Sequence, residues 1–329
     1  MADTVVPDAS ARPDVLPTDR LHSNGLCRRE LRDELRHIDG VRNALSVASI
    51  WTAVGATLAG AVWLGNPLAY AVAFFVMGAL YARLAILTHE AAHRLLFKTR
   101  TFNDWVGTWL LGYPAFIPIG LYRRGHLAHH KQELGPDDPD IAFYGGYPCE
   151  RRALVRRLVR DAVGISGWKN LRPLLRSVGY RQFRRLGLSI IGVQATLWAA
   201  MWAASGRWWL YPCLWLLPWM TEWRVLNRLR SIAEHGGMAS GQDRRVTTHH
   251  VRQTWLARAW LVPYNTGYHL AHHVDIGVPW RNLPKFHAEL VRAGYVTPGL
   301  THRSYISLWR TLASGGRPSS RARPLPAST

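Results

Sequence analysis

Apolar and polar positions fall in long blocks along the chain, and the blocks set the expected elements. Residues 1–25 hold no apolar run and are rich in Pro, Asp, Ala and Ser, which predicts a disordered tail. No h-region lies near the start, so no cleaved signal peptide is expected. In residues 26–43, Leu26, Leu31, Leu35, Ile38 and Val41 recur at loose helical spacing with Arg on the other faces, the pattern of an amphipathic helix on a membrane surface. The run over about 44–64 carries no charge and has roughly the 20 residues that cross a bilayer core. Gly65-Asn66-Pro67 is a turn. A second run, about 68–87, is broken only by Arg83, which lies near enough to its end to snorkel.

Between Phe102 and Tyr122 the chain is apolar but contains Gly107, Gly112, Pro114, Pro118 and Gly120. This predicts an interfacial or re-entrant segment, not a span. Residues 123–185 are polar and basic. A second hairpin follows, about 186–204 and 208–225, turning at Ser205-Gly206-Arg207. No span is expected after it, and residues 311–329 form a Pro, Ser and Arg tail. The expected fold is all-α: an integral membrane protein of four transmembrane helices in two hairpins, with a cytoplasmic helical cap. Residues 26–310 make one domain.

Charge orients these elements. A net charge of +20 beside 48% hydrophobic residues fits a membrane protein whose charge sits outside its spans. The two hairpin turns carry one basic residue, Arg207, so by the positive-inside bias both termini and the polar segments face the cytoplasm, for a bacterial protein beneath the inner membrane. The 16 Trp suit interfacial belts. Arg is spread through every polar segment without a nucleic-acid motif, so no nucleic-acid partner is expected. Cys27, Cys149 and Cys213 show no C-x-x-C and imply neither a disulfide framework nor a thiolate site.

Histidine brings the chemistry. His89-Glu90-Ala91-Ala92-His93 places two imidazoles one helical turn apart. His126-Leu127-Ala128-His129-His130 and His269-Leu270-Ala271-His272-His273 repeat H-x-x-H-H, and His235 follows Glu234. H-E-x-x-H alone reads as a zinc protease with Glu90 as base, but that leaves the other seven of these nine histidines unused. One zinc takes about four ligands. Nine clustered histidines suit two metals with open positions, and imidazole accepts zinc, copper, iron or nickel. A dinuclear nitrogen site beside lipid suits redox-active iron and O₂. Glu90, Glu234, Asp137, Asp138 and Asp140 are candidates to accept ring N–H bonds, while the aspartates also fit a Pro-Asp turn. His22, His37, His287 and His302 read as surface or core residues. The pair His249-His250 lacks a third partner at helical spacing and reads as structural. A metal transporter would place ionisable residues inside its spans, and these spans are nearly free of them.

In this order and between two hydrophobic hairpins, H-E-x-x-H, H-x-x-H-H, R-x-x-x-E-H and H-x-x-H-H resemble the integral-membrane fatty acid desaturase superfamily. The likeness runs from about Ser46 to Tyr295 and includes Asp138-Pro139-Asp140, Asn265-Thr266-Gly267-Tyr268, Val278-Pro279 and Leu283-Pro284. The resemblance implies two irons held by His89, His93, His126, His129, His130, His235, His269, His272 and His273, with O₂ as co-substrate and a lipid or acyl substrate. Glu90 is not implied as a ligand. Ser231 stands where acyl-CoA members carry Asn, which points to the acyl-lipid branches. No H-P-G-G element of a fused cytochrome b5 is present, so a separate donor such as a ferredoxin with its reductase is implied, and a basic face would suit an acidic donor. Desaturation of an acyl chain is the expected reaction. Hydroxylases and carotenoid ketolases share the ligand set and are the alternative.

Overall fold

The structure, a computed structural model, describes residues 5–15 and 17–315. Along the chain the helices are α1 (Arg29–Leu35), α2 (Gly40–Leu64), α3 (Pro67–Ala92), α4 (Arg100–Trp105), α5 (Ile119–Gln132), α6 (Ile141–Tyr144), α7 (Arg151–Ala162) and α8 (Ile165–Arg176). They continue as α9 (Arg184–Ser205), α10 (Leu217–Met220), α11 (Glu222–His235), α12 (Arg244–Thr247), α13 (Trp255–Trp260), α14 (His269–Val274), α15 (Leu283–Arg292) and α16 (Tyr305–Leu312). Strand content among the described residues is slight: β1 (His250–Val251) pairs in parallel with β2 (Thr301–His302). The chain divides into two compact units. An apolar unit comprises Ile38–Arg123 and Arg156–Asn227; a polar unit comprises the chain up to His37, Arg124–Val155 and the chain from Arg228 onward.

In the apolar unit, α2, α3 and α9 are long and apolar enough to cross a membrane. Their ends follow local rules. Asp39 caps α2 by accepting from Arg42 N at 3.0 Å, and Gly65 closes it in the left-handed region (φ 61°). Asn66 caps α3 through Ala69 N at 2.9 Å, and Pro67 opens that helix where no N–H is required. Val47, Ile50, Val54, Leu58 and Ala61 of α2 recur every three or four residues and are buried, while Leu45, Trp63 and Leu64 remain exposed.

The expected fourth span is not one straight helix. A π-helical stretch over Pro212–Leu216 leads into α10, the helix breaks at Thr221 (φ −119°, ψ −82°), and α11 starts at Glu222. Pro218 lies just past the π-helical stretch and explains it, since it removes an N–H and crowds the preceding turn. The 102–122 segment is likewise no straight span: α4, a π-helix over Val106–Gly112, then non-helical backbone before α5. Its free carbonyls are met by side chains from α2, α9 and α10. Trp51 Nε1 donates to Leu110 O (3.0 Å), Gln194 Nε2 to Tyr113 O (2.7 Å) and Pro114 O (3.2 Å), and Trp219 Nε1 to Ala115 O (2.9 Å). Irregular backbone among apolar helices is tolerable only when satisfied in this way.

The polar unit corrects two sequence readings. The amphipathic helix expected over 26–43 is split into α1 and the start of α2. Leu31 and Leu35 of α1 are buried within this unit, where Asn282 donates to Leu35 O at 2.7 Å and Arg36 pairs with Asp275 at 2.8 Å. Its apolar face is therefore used for packing, not for a membrane surface. Residues 5–15 and 17–25 likewise carry specific bonds where a disordered tail was expected: Val5 N to Gly237 O (2.9 Å), Thr297 Oγ1 to Ala11 O (2.7 Å), and Arg245 to Pro13 O (2.8 Å). Of the expected C-terminal tail, Thr311 and Leu312 close α16, and residues 316–329 lie outside the described residues.

Candidate metal centre

Helix α5 carries the second histidine box. His126, His129 and His130 are buried, and so is Glu133, the first residue past the helix and three positions after His130. His126 Nε2 and His130 Nε2 face each other at 3.0 Å, and His272 Nε2 of α14 reaches His130 Nε2 at 3.2 Å. His235 ends α11, and its Nε2 lies 3.0 Å from His269 Nε2, the first residue of α14. The ligand atoms of His129, His235 and His273 lie within 4.8 Å of one another.

What fixes these rings is the other nitrogen. His129 Nδ1 is 3.1 Å from both Asp138 oxygens. His235 Nδ1 is 2.9 Å from Thr247 O, and His273 Nδ1 bonds Glu133 Oε1. Carboxylate and carbonyl oxygens only accept, so each Nδ1 carries the proton and each Nε2 keeps its lone pair. Glu234 Oε1 lies 3.5 Å from His269 Nδ1 and is held by Arg230 at 2.9 Å. Burial drives His235, His269 and His273 well below the ordinary imidazole pKa, the ring charges of neighbouring histidines adding to it, so all three are neutral. Burial would do the same to His129, but Asp138 overrides it and raises that pKa.

The arrangement passes a test for metal binding that rests on geometry. His273 Nε2 is buried without a hydrogen-bond partner, which is costly unless something accepts its lone pair. Two imidazole nitrogens about 2.1 Å from one ion at right angles stand about 3.0 Å apart, the spacing of the His126–His130 and His235–His269 pairs. Neutral rings anchored by acceptors on the far nitrogen are the usual form of metal-bound histidine.

The first box lies in the apolar unit. His89 and His93 stand one turn apart at the end of α3, ring centroids 4.7 Å apart, with Glu90 buried between them in sequence. The helix end is fixed by Arg123, which donates to Ala91 O (2.9 Å) and Ala92 O (2.8 Å), and by Asn103, which donates to Ala91 O (2.9 Å).

The two readings of the aspartate cluster both apply, to different residues. Asp138 accepts from Leu134 N (2.8 Å), Asp140 N (2.9 Å), His129 and Tyr144. It is at once a turn residue and a histidine anchor. Burial alone would raise its pKa, but these donors hold it at about 2. Asp137 is exposed, and Asp140 contributes its backbone N–H. Glu133, Tyr144, Arg244 and Thr247 were not singled out from sequence. Glu133 could have been: H-x-x-H-H-x-x-E puts it on the same helical face. Its carboxyl, pushed up by burial and pulled back by Thr247 and Arg244, accepts from His273, Thr247 and Arg244 (2.7 Å). With His130 and His273 it forms a further trio of possible ligand atoms. His249, His250, His287 and His302 lie outside this constellation; His249 Nε2 donates to Gly236 O at 2.8 Å.

The sequence is similar to known desaturases. The chain is 28% identical over 279 residues, 78% of each protein, to a dihydrorhizobitoxine desaturase of Bradyrhizobium elkanii. It is 22% identical over 306 residues, 84% of this chain and 83% of the relative, to an sn-1 oleoyl-lipid 12-desaturase of Arthrospira platensis. A shorter match, 29% over 84 residues and about a quarter of each chain (26% and 23%), is to an sn-1 acyl-lipid omega-3 desaturase (ferredoxin) of a Synechocystis strain. Residues 30–306, from α1 to α16 and including every histidine box, match the fatty acid desaturase family, and the chain belongs to it.

Proposed function

We propose that this oxidoreductase is an O₂-dependent di-iron desaturase that introduces a double bond into the hydrocarbon chain of a membrane lipid. The ligands would be His89, His93, His126, His129, His130, His235, His269, His272 and His273. The observation that supports this most is the set of buried imidazoles, His129, His235 and His273, whose Nδ1 protons are held by Asp138, Thr247 O and Glu133, so that each turns its Nε2 to the site. When bound, the irons supply O₂ activation and the oxidation of a C–H bond. The chain's residues do the rest. Asp138 and Glu133 keep their histidines in the binding tautomer and bring negative charge to a site whose ring ligands are neutral. Tyr144 donates to Asp138 and limits that carboxylate's freedom. Burial of His126, His129, His130, His235, His269, His272 and His273 limits the access of water to those rings, while His89 and His93 are half-buried.

The fourth membrane crossing would run through the interrupted 208–225 segment, with both termini and the metal centre on the cytoplasmic face of a bacterial inner membrane. Electrons would come from a separate acidic donor, a ferredoxin with its reductase; the net charge of +20 and the relative named with ferredoxin support this. The test is expression in a bacterial host beside an empty-vector strain and a His129→Ala strain. A new unsaturated acyl chain in the wild type alone is expected. Hydroxylated lipid would replace desaturation by hydroxylation. Full activity of His129→Ala in the membrane would remove the site assignment.

A further inference from the structure

Helix α7 from Arg156 onward and the whole of α8 carry a surface that desaturation does not explain. Between residues 156 and 221 the only acidic residue is Asp161, and it is buried. Over the same stretch Arg156, Arg160, Lys169, Arg172 and Arg176 are exposed, and Arg181, Arg184 and Arg185 follow. Large apolar residues share this exposure: Val159, Val163, Ile165, Trp168 and Leu175 are between 44% and 63% accessible. The two sets interleave by helical spacing. Arg156 lies three positions before Val159 on the same face of α7, and Arg160 three positions before Val163, the first residue past that helix. On α8, Trp168 and Leu175 form one stripe, and Lys169 and Arg176 form the next.

The opposite side of α8 is committed to packing. Gly167 and Leu171 are buried, and a Cβ on Gly167 would stand 2.3 Å from Met220 O. Just past α8, Ser177 packs on Gly187 in the first turn of α9, where a Cβ would meet Ser177 Oγ at 2.3 Å. The end of α8 is therefore fixed beside the point where a membrane-length helix begins. An exposed face of Trp, Ile, Leu and Val interleaved with cations, at that level, matches the headgroup boundary of a bilayer.

We propose that α7 and α8 form an interfacial platform that binds anionic phospholipid headgroups through Arg156, Arg160, Lys169, Arg172 and Arg176, with Val159, Val163, Ile165, Trp168 and Leu175 seated among the upper acyl carbons. An acidic protein would satisfy the cations but would leave no reason for the apolar stripes to lie between them. The proposal uses the membrane placement of α9 but not the metal centre, so it stands or falls apart from the catalytic reading.

The test uses full-length protein in phosphatidylcholine vesicles doped with spin-labelled phosphatidylglycerol or spin-labelled phosphatidylcholine. The motionally restricted fraction of each is read by electron paramagnetic resonance. A preference of about fivefold for phosphatidylglycerol is expected, the factor one surface cation contributes. It should fall towards one when Arg156, Arg160, Lys169, Arg172 and Arg176 are all changed to Gln. Should that variant fail to fold, wild type in 1 M NaCl decides, since screening to about 3 Å should also remove the preference. Equal restriction of both lipids by wild type would overturn the proposal. So would a preference untouched by both the substitutions and the salt, or loss of acidic ferredoxin binding in the variant with lipid preference unchanged.

Discussion

Replacing Glu133 by Gln removes one negative charge with almost no change in shape, and its effect can be worked from three contacts. The carboxylate accepts from His273 Nδ1, Thr247 Oγ1 and Arg244. A Gln amide has one acceptor oxygen and one NH₂ donor. If the oxygen takes the place of Oε1 it still accepts from both His273 and Arg244, but without the negative charge that strengthens those bonds, and the NH₂ lies against Thr247 Oγ1, which must turn from donor to acceptor. If the NH₂ faces His273, Nδ1 must accept, its proton moves to Nε2, and that nitrogen no longer has a lone pair to bind with. Either orientation weakens the hold on His273. Loss of such an anchor costs about 10–100-fold in metal affinity, or about 1.4–2.7 kcal/mol. The assay is iron retained by purified protein against a graded chelator. Glu133→Gln should shift the curve by that factor while His273→Ala loses more. No shift with the fold intact would refute the anchoring argument, and a loss equal to that of His273→Ala would make Glu133 a direct ligand.

Two further outcomes concern stability. Gln194 uses its whole amide, donating to Tyr113 O and Pro114 O and accepting from Tyr211 OH (2.8 Å) and Trp215 Nε1 (3.2 Å). At about 0.6 kcal/mol or more per bond among membrane helices, Gln194→Leu should cost about 2–5 kcal/mol in unfolding experiments, and an unchanged midpoint would count against this hub. His249 and His250 have pKa values pushed down to about 3, by burial first and then by His302 and His287 respectively. The unfolded chain takes up those protons below about 6.5 and the folded chain does not, so stability falls as pH drops. Each should lose about 1.5–2 kcal/mol between pH 6.5 and 5. A thermal midpoint that is flat over that range, or that falls as steeply in His249→Gln, would refute this.

The sequence made the histidine boxes legible because their spacing is local: i, i+3 and i+4 place histidines on one face whatever surrounds them. The three membrane-length helices α2, α3 and α9 were legible because each is a local apolar run of about 20 residues. The 208–225 run has span composition, yet Pro212 and Pro218 flank a π-helical stretch in it, and weighing them as the prolines of the 102–122 segment were weighed would have shown that irregularity. Glu133 carried a readable signal in its helical register. Thr247 and Arg244 carried none, since a backbone carbonyl reaching His235 and a guanidinium reaching a distant carboxylate are products of tertiary packing. Leu31 and Leu35 show the converse limit: an apolar stripe requires burial but does not say against what. The composition of residues 5–25 was similarly silent about the backbone groups that bind Ala11 and Pro13.

The central claim is that these histidines hold two irons. Its most direct test is the metal content of the purified, membrane-extracted protein, measured per chain together with a His273→Ala variant. The expected result is about two irons per wild-type chain, with a clear loss in the variant. One zinc per chain that iron does not displace, and that His273→Ala leaves in place, would contradict it and return the first box to the protease reading.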